Sequence, residues 1–130
     1  MVRLMRKAAL LMLVLLIGIG AVSCGLFDSG GESKVNFIYS WSEALSKAQT
    51  ENKPIMIDFY TDWCKWCDEL DSKTYSDDEL STFLNDNFIC VKINGDNSSL
   101  DGTYSVGGYP TIVFTYPDGT EINRMQIVGQ

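Results

Sequence analysis

An α/β domain with a central sheet of mixed strand direction is what this sequence predicts. Three observations carry that expectation. Helical periodicities alternate with apolar, strand-like runs. One of these, Ile55-Met56-Ile57-Asp58-Phe59-Tyr60, is apolar on both faces, as strands buried on both sides are. The last two runs are joined by Pro117-Asp118-Gly119, turn chemistry that makes a hairpin and so adds antiparallel pairing.

The elements follow in chain order. Met1 to Lys7 carries Arg3, Arg6 and Lys7, and Ala8 to Val22 is uncharged and rich in Leu, Ile, Val and Ala. A basic start, an apolar middle and small residues at the end describe a secretory signal peptide. A transmembrane anchor is the alternative, but the apolar stretch is short for a span of about 17–25 residues. Residues 1–23 are therefore assigned to the signal. Residues 24–34 follow as Cys24 and a tether rich in Gly and Ser. The domain proper is expected over residues 35–130.

Within it, Val35 to Tyr39 reads as a short edge strand. Ser40 and Glu43 form a capping box ahead of Trp41, Ala44, Leu45 and Ala48 at helical spacing. That helix should stop near Asn52, because Pro54 disfavours helix before it. The buried strand 55–60 comes next, and a second helix opens at Cys64. Ser76 and Glu79 suggest another capping box, with Leu80, Phe83 and Leu84 as the buried stripe of a third helix. Phe88 to Asn94 is a strand holding Cys90 and Lys92. Asn94 to Gly102 is a polar loop whose spacing does not fit an EF-hand. Strands over 111–116 and 121–128 complete the sheet.

Composition narrows the function. The 130 residues fit one domain. A formal charge of −7 argues against nucleic acid as a partner. Removing residues 1–23 leaves 7 basic and 17 acidic residues, or −10. The absence of histidine excludes imidazole-based catalysis and the commonest metal ligand.

Cys64-Lys65-Trp66-Cys67 is the chemical centre of the sequence. A C-x-x-C pair directly after a buried strand and at a helix start is a strong redox signal. Free N–H groups at the helix N-terminus favour an anion, and Lys65 adds positive charge. Both raise the thiolate fraction of Cys64, the attacking species. Cys67 lies about one turn on and can resolve a mixed disulfide. A structural disulfide is the competing use. Zinc would need four ligands, and only Cys90 is left as a further thiol. Cys90 itself, in an apolar strand, reads as a small buried hydrophobe. Asp58 is the anomaly of its strand, since a buried carboxylate needs a partner or a proton.

Two stretches carry a family resemblance. Asp58-Phe59-Tyr60-Thr61-Asp62-Trp63-Cys64-Lys65-Trp66-Cys67 resembles the active-site stretch of the thioredoxin superfamily. Its flavour is that of the thioredoxin-like domain of the reductase DsbD and small exported relatives. Val106-Gly107-Gly108-Tyr109-Pro110-Thr111 resembles the family's second signature, whose proline is cis. The resemblance implies a thioredoxin-like fold: a mixed sheet flanked by helices, from which the closing C-terminal helix is missing before Gln130. Either the sequence is truncated there, or the domain dimerises or has low stability. It also implies roles. Cys64 and Cys67 are the redox pair, Trp63 shields them, and Asp58, paired with Lys92, moves the proton of the resolving thiol. The Tyr109 backbone, set by Pro110, meets the substrate chain. Trp66 is either a substrate platform or a partly exposed helix residue. Ala21-Val22-Ser23-Cys24 resembles a bacterial lipobox, which implies lipidation of Cys24.

The sequence thus predicts a thiol–disulfide oxidoreductase, a reductase by its relatives, that needs no cofactor or metal. It would be lipid-anchored to a bacterial membrane and face the periplasm or the cell exterior. Gly25, where Asp would retain a lipoprotein at the inner membrane, favours the outer membrane in a Gram-negative host. Its partners would be disulfide-containing exported proteins and a membrane electron donor. The alternatives are a Cu(I)-binding module, since soft thiols select that ion, and a non-catalytic docking domain.

Overall fold

The computed structural model describes residues 31–126. The predicted signal peptide, Cys24 and most of the tether lie outside the described residues, as does the segment after residue 126. No helix among the described residues is long and apolar enough to cross a membrane.

The first helix, α1 (Trp41–Glu51), begins at Ser40, whose hydroxyl accepts the Glu43 N–H. It ends at Asn52, whose left-handed backbone (φ 52°) is one that Asn tolerates at a helix terminus. Strand β1 (Ile55–Tyr60) follows. Helix α2 (Lys65–Glu69) runs directly into a π-helical turn, Leu70–Thr74. Then come α3 (Asp78–Asn87), β2 (Ile89–Asn94), a 3-10 turn over Gly95–Asn97 and α4 (Leu100–Thr103). Strands β3 (Thr111–Thr115) and β4 (Glu121–Gln126) close the described chain.

The sheet order is β2-β1-β3-β4. β1 and β2 are parallel, while β1–β3 and β3–β4 are antiparallel. The mixed sheet expected from the sequence is therefore present. Side chains alternate across it with period two. Ile55, Ile57, Phe59, Val91 and Val113 face Ala44 and Ala48 of α1, together with Tyr104. Met56, Cys90 and Ile112 face the other way, against Leu70, Tyr75 and Leu84. Each fully buried Ile or Phe contributes on the order of 1.5–3 kcal/mol, so β1, sandwiched between both layers, anchors the domain. Asp58 and Lys92 are direct partners in the β1–β2 register. The β3–β4 hairpin turns at Gly119 (φ 87°), a conformation that glycine adopts without steric cost.

Three local readings of the sequence need correction. The edge strand expected over 35–39 is reduced to a single bridge, Ile38 to Val91 on the open side of β2. The cap of α3 is Asp77, not Ser76: its carboxylate accepts the Leu80 N–H at 2.8 Å, while the Ser76 hydroxyl turns back to the Ser72 carbonyl at 2.6 Å. Phe83 is exposed, and Ser81 takes its place in the buried stripe beside Leu84. Asp77→Ala is accordingly expected to lower stability by about 1 kcal/mol. Urea unfolding checks this; a Ser76→Ala loss as large as that of Asp77→Ala would contradict the assignment.

Candidate functional site

The chain leaves β1 at Tyr60, turns through Thr61–Trp63 and enters α2 with Cys64 as its N-cap. The Cys64 backbone is extended (φ −86°, ψ 97°), and its Sγ accepts the Cys67 N–H at 3.1 Å. An N-cap acceptor normally comes from Ser, Thr, Asp or Asn. A sulfur in that position is stabilised best when it carries negative charge. Cys64 and Cys67 are joined by a disulfide, with Cα atoms 5.3 Å apart, and both are buried.

The second motif comes to the same place. The Tyr109–Pro110 peptide bond is cis. The Tyr109 ring meets the Trp63 ring edge-to-face at 6.1 Å, so the residue before Cys64 and the residue before Pro110 are neighbours. Trp63 stands 71% exposed, and its indole N–H donates to Asp96 Oδ2 at 3.0 Å. Trp66 is also exposed, as is Lys65.

Asp58 is fully buried on the sheet face that packs against Leu70, Tyr75 and Leu84. Lys92 Nζ lies 3.5 Å from its Oδ2. Burial pushes the Asp58 carboxyl up to about 6, against the pull of Lys92 and with the help of the Asp71 charge. Burial works to lower the Lys92 pKa, but Asp58 and Asp71 outweigh it and hold it above the ordinary lysine value.

Sequence reasoning missed Asp71. Its Oδ2 accepts from Lys92 Nζ at 2.6 Å, a shorter contact than the one Lys92 makes with Asp58. Asp71 sits in the π-turn, a helix irregularity that often accompanies function. Lys92 is further enclosed by the Phe37 and Tyr60 rings, 5.2 and 5.0 Å from its ammonium. Tyr75, on the same face, is held protonated by burial and by the nearby Asp58 charge. The site therefore combines a disulfide at a helix start with a buried Asp58–Lys92 pair that the partly exposed Asp71 extends. Cys90 is not part of it: its thiol is buried and pushed up to about 12, which makes it inert.

Comparison with known proteins agrees with this geometry. Residues 28–127 match the model of the Thioredox_DsbH family, described as "Protein of unknown function, DUF255". The chain belongs to that family. It is a thioredoxin-superfamily protein resembling the thioredoxin-like domain of DsbD. It is 36% identical over 107 residues to the thiol:disulfide interchange protein DsbD of Photorhabdus laumondii, covering 75% of this chain and 18% of that protein. To the Yersinia pestis protein of the same name it is 34% identical over 86 residues, covering 63% and 14%. The chain thus spans less than a fifth of these relatives. Among solved structures, a DsbH oxidoreductase superposes with a TM-score of 0.64 at 24% identity, covering 73% of this chain and 74% of that one. A thioredoxin from Thermus thermophilus gives 0.61 at 29% identity, covering 68% and 72%.

Proposed function

We propose that this Thioredox_DsbH domain is a thiol–disulfide oxidoreductase that reduces disulfides in exported proteins. The observation that carries the reading is the Cys64–Cys67 disulfide, with Cys64 as helix N-cap and Tyr109–Pro110 brought alongside through Trp63. The relatives named as thiol:disulfide interchange proteins support it.

In the working direction the reduced pair acts. The Cys64 thiolate attacks one sulfur of a substrate disulfide, and the other substrate sulfur leaves as a thiolate. Asp58 takes the proton from the Cys67 thiol. The Cys67 thiolate attacks Cys64 Sγ, and the second substrate thiolate departs. The substrate has gained two electrons and the Cys64–Cys67 pair has lost them; protons from solvent complete the substrate thiols. A membrane electron donor then reduces the pair again. Asp58 suits its part because a carboxyl held near pH 6 is able both to take and to return a proton close to neutrality. Lys92, fixed by Asp71, keeps that carboxyl from rising further. Tyr109 and Pro110 offer main chain to an extended substrate. Lipidation of Cys24 and export to the periplasm or cell exterior belong to the same proposal.

The test is the reduction potential of the Cys64–Cys67 pair in dithiothreitol or glutathione buffers. A reductase should lie near about −270 mV, as thioredoxin does; a value near about −120 mV would make the protein an oxidant. The absence of any reversible two-electron couple would end the catalytic reading.

A further inference from the structure

The segment from Gly95 into α4 looks like a plain polar connection, yet it touches both rings of the Trp63–Tyr109 pair. Asp96 accepts the Trp63 indole N–H at 3.0 Å. Asp101 Oδ2 accepts the Tyr109 hydroxyl at 3.4 Å, and Asp101 Oδ1 accepts the Gly102 N–H at 2.8 Å, which ties that carboxylate to the turn. Gly95 comes directly before Asp96 and lies against Tyr109. A Cβ built on Gly95 would overlap the Tyr109 hydroxyl and ring, with Cε1 only 2.6 Å away. The Gly95 backbone is not left-handed; among the described residues Gly119 alone combines glycine with positive φ. Glycine is needed at position 95 for space, because the Tyr109 ring lies directly against the loop backbone.

We propose that Gly95 is a specificity-determining positioning residue. It lets the Tyr109 ring seat against the loop, where Asp101 holds the hydroxyl. That seat fixes where the Tyr109–Pro110 main chain meets a polypeptide, so the site prefers disulfides carried on an extended peptide over small disulfides without one. The inference rests on the oxidoreductase reading. Physically, a side chain at position 95 has to push Tyr109 outward into the space the substrate backbone would use.

The experiment uses the full chain and two probes: a cyclic decapeptide closed by one disulfide, and 2-hydroxyethyl disulfide, which has no peptide backbone. Gly95→Ala is expected to raise KM for the peptide at least fivefold. Turnover of 2-hydroxyethyl disulfide and the potential of the Cys64–Cys67 pair should stay within experimental error. In a Tyr109→Leu background, where the ring is gone, the same substitution should change peptide KM less than twofold. If Gly95→Ala does not fold, Asp101→Leu is read against Asp101→Asn: the first should raise peptide KM and the second, which keeps an acceptor, should not. An unchanged peptide KM, or an equal loss on both probes, overturns the inference. If the wild-type chain reduces neither probe, the oxidoreductase reading fails and takes this one with it.

Discussion

Replacing Cys67 with serine should convert the protein from a turnover catalyst into a trap. The Cys64 thiolate would still attack a substrate disulfide, but no second sulfur would release it. A covalent adduct of chain and substrate should accumulate, visible by mass spectrometry as the sum of the two masses and dissolved by dithiothreitol. Multiple turnover should fall to background. Cys64→Ser should abolish both turnover and adduct. The asymmetry comes from local structure, not from exposure, since both residues are buried to a similar degree. Cys64 is the N-cap whose sulfur receives the Cys67 N–H, and an anion there also meets the positive end of the helix. On the proposed mechanism these contacts make Cys64, and not Cys67, the attacking sulfur. If Cys64→Ser were the variant that formed the adduct, the order of attack would be reversed.

The second large effect concerns stability. Burial holds the folded Asp58 carboxyl at about 6, above the ordinary aspartate value of 3.8. Between those pH values the folded state holds a proton that the unfolded state has released. The associated stabilisation is fully present below about pH 4 and is lost as pH rises through about 6. At about 1.36 kcal/mol per unit, the loss is on the order of 3 kcal/mol. Asp58→Asn removes the ionisation. The variant should match the wild type at pH 4 and exceed it by about 1–3 kcal/mol at pH 7, with Lys92 retaining its ion pair to Asp71. Urea unfolding at pH 4, 5, 6 and 7.5 checks the whole curve. If Asp58 is the proton acceptor proposed above, the same variant should also resolve the mixed disulfide more slowly. A variant less stable than wild type at pH 7 would mean that the Lys92 pair is worth more than the cost of burying the charge.

These expectations show where the sequence was informative. Ile55–Tyr60 announces a central strand through unbroken apolarity, and the following C-x-x-C is local chemistry written in four adjacent residues. Asn52 and Gly119 mark their turns because few residues take left-handed backbone. What escaped reading depends on distant partners. Asp71 is one more charged residue on a helix until the π-turn swings it against Lys92, 21 positions away. Asp96 is a loop carboxylate until Trp63, 33 positions earlier, donates to it. Ser76 and Asp77 are adjacent and chemically equivalent as caps, so only backbone geometry decides between them. Phe83 and Ser81 exchanged roles for a related reason: periodicity counts apolar residues, whereas burial follows the direction in which α3 faces the sheet.

The single bridge at Ile38 has a practical consequence for making the protein. Ile38 donates its N–H to the Cys90 carbonyl and accepts the Lys92 N–H, each at 2.9 Å, so it occupies the outer margin of β2. An unpaired strand margin invites association with a second molecule. Ahead of it, Lys34 donates its backbone N–H to Tyr75 and forms an ion pair with Asp78. Asn85 clamps the same stretch from α3 by accepting the Asn36 N–H. A soluble form cut before Lys34 would keep this margin covered. One cut after Ile38 would bare it, remove Phe37 from the Lys92 ammonium, and should aggregate through strand addition before its chemistry could be measured.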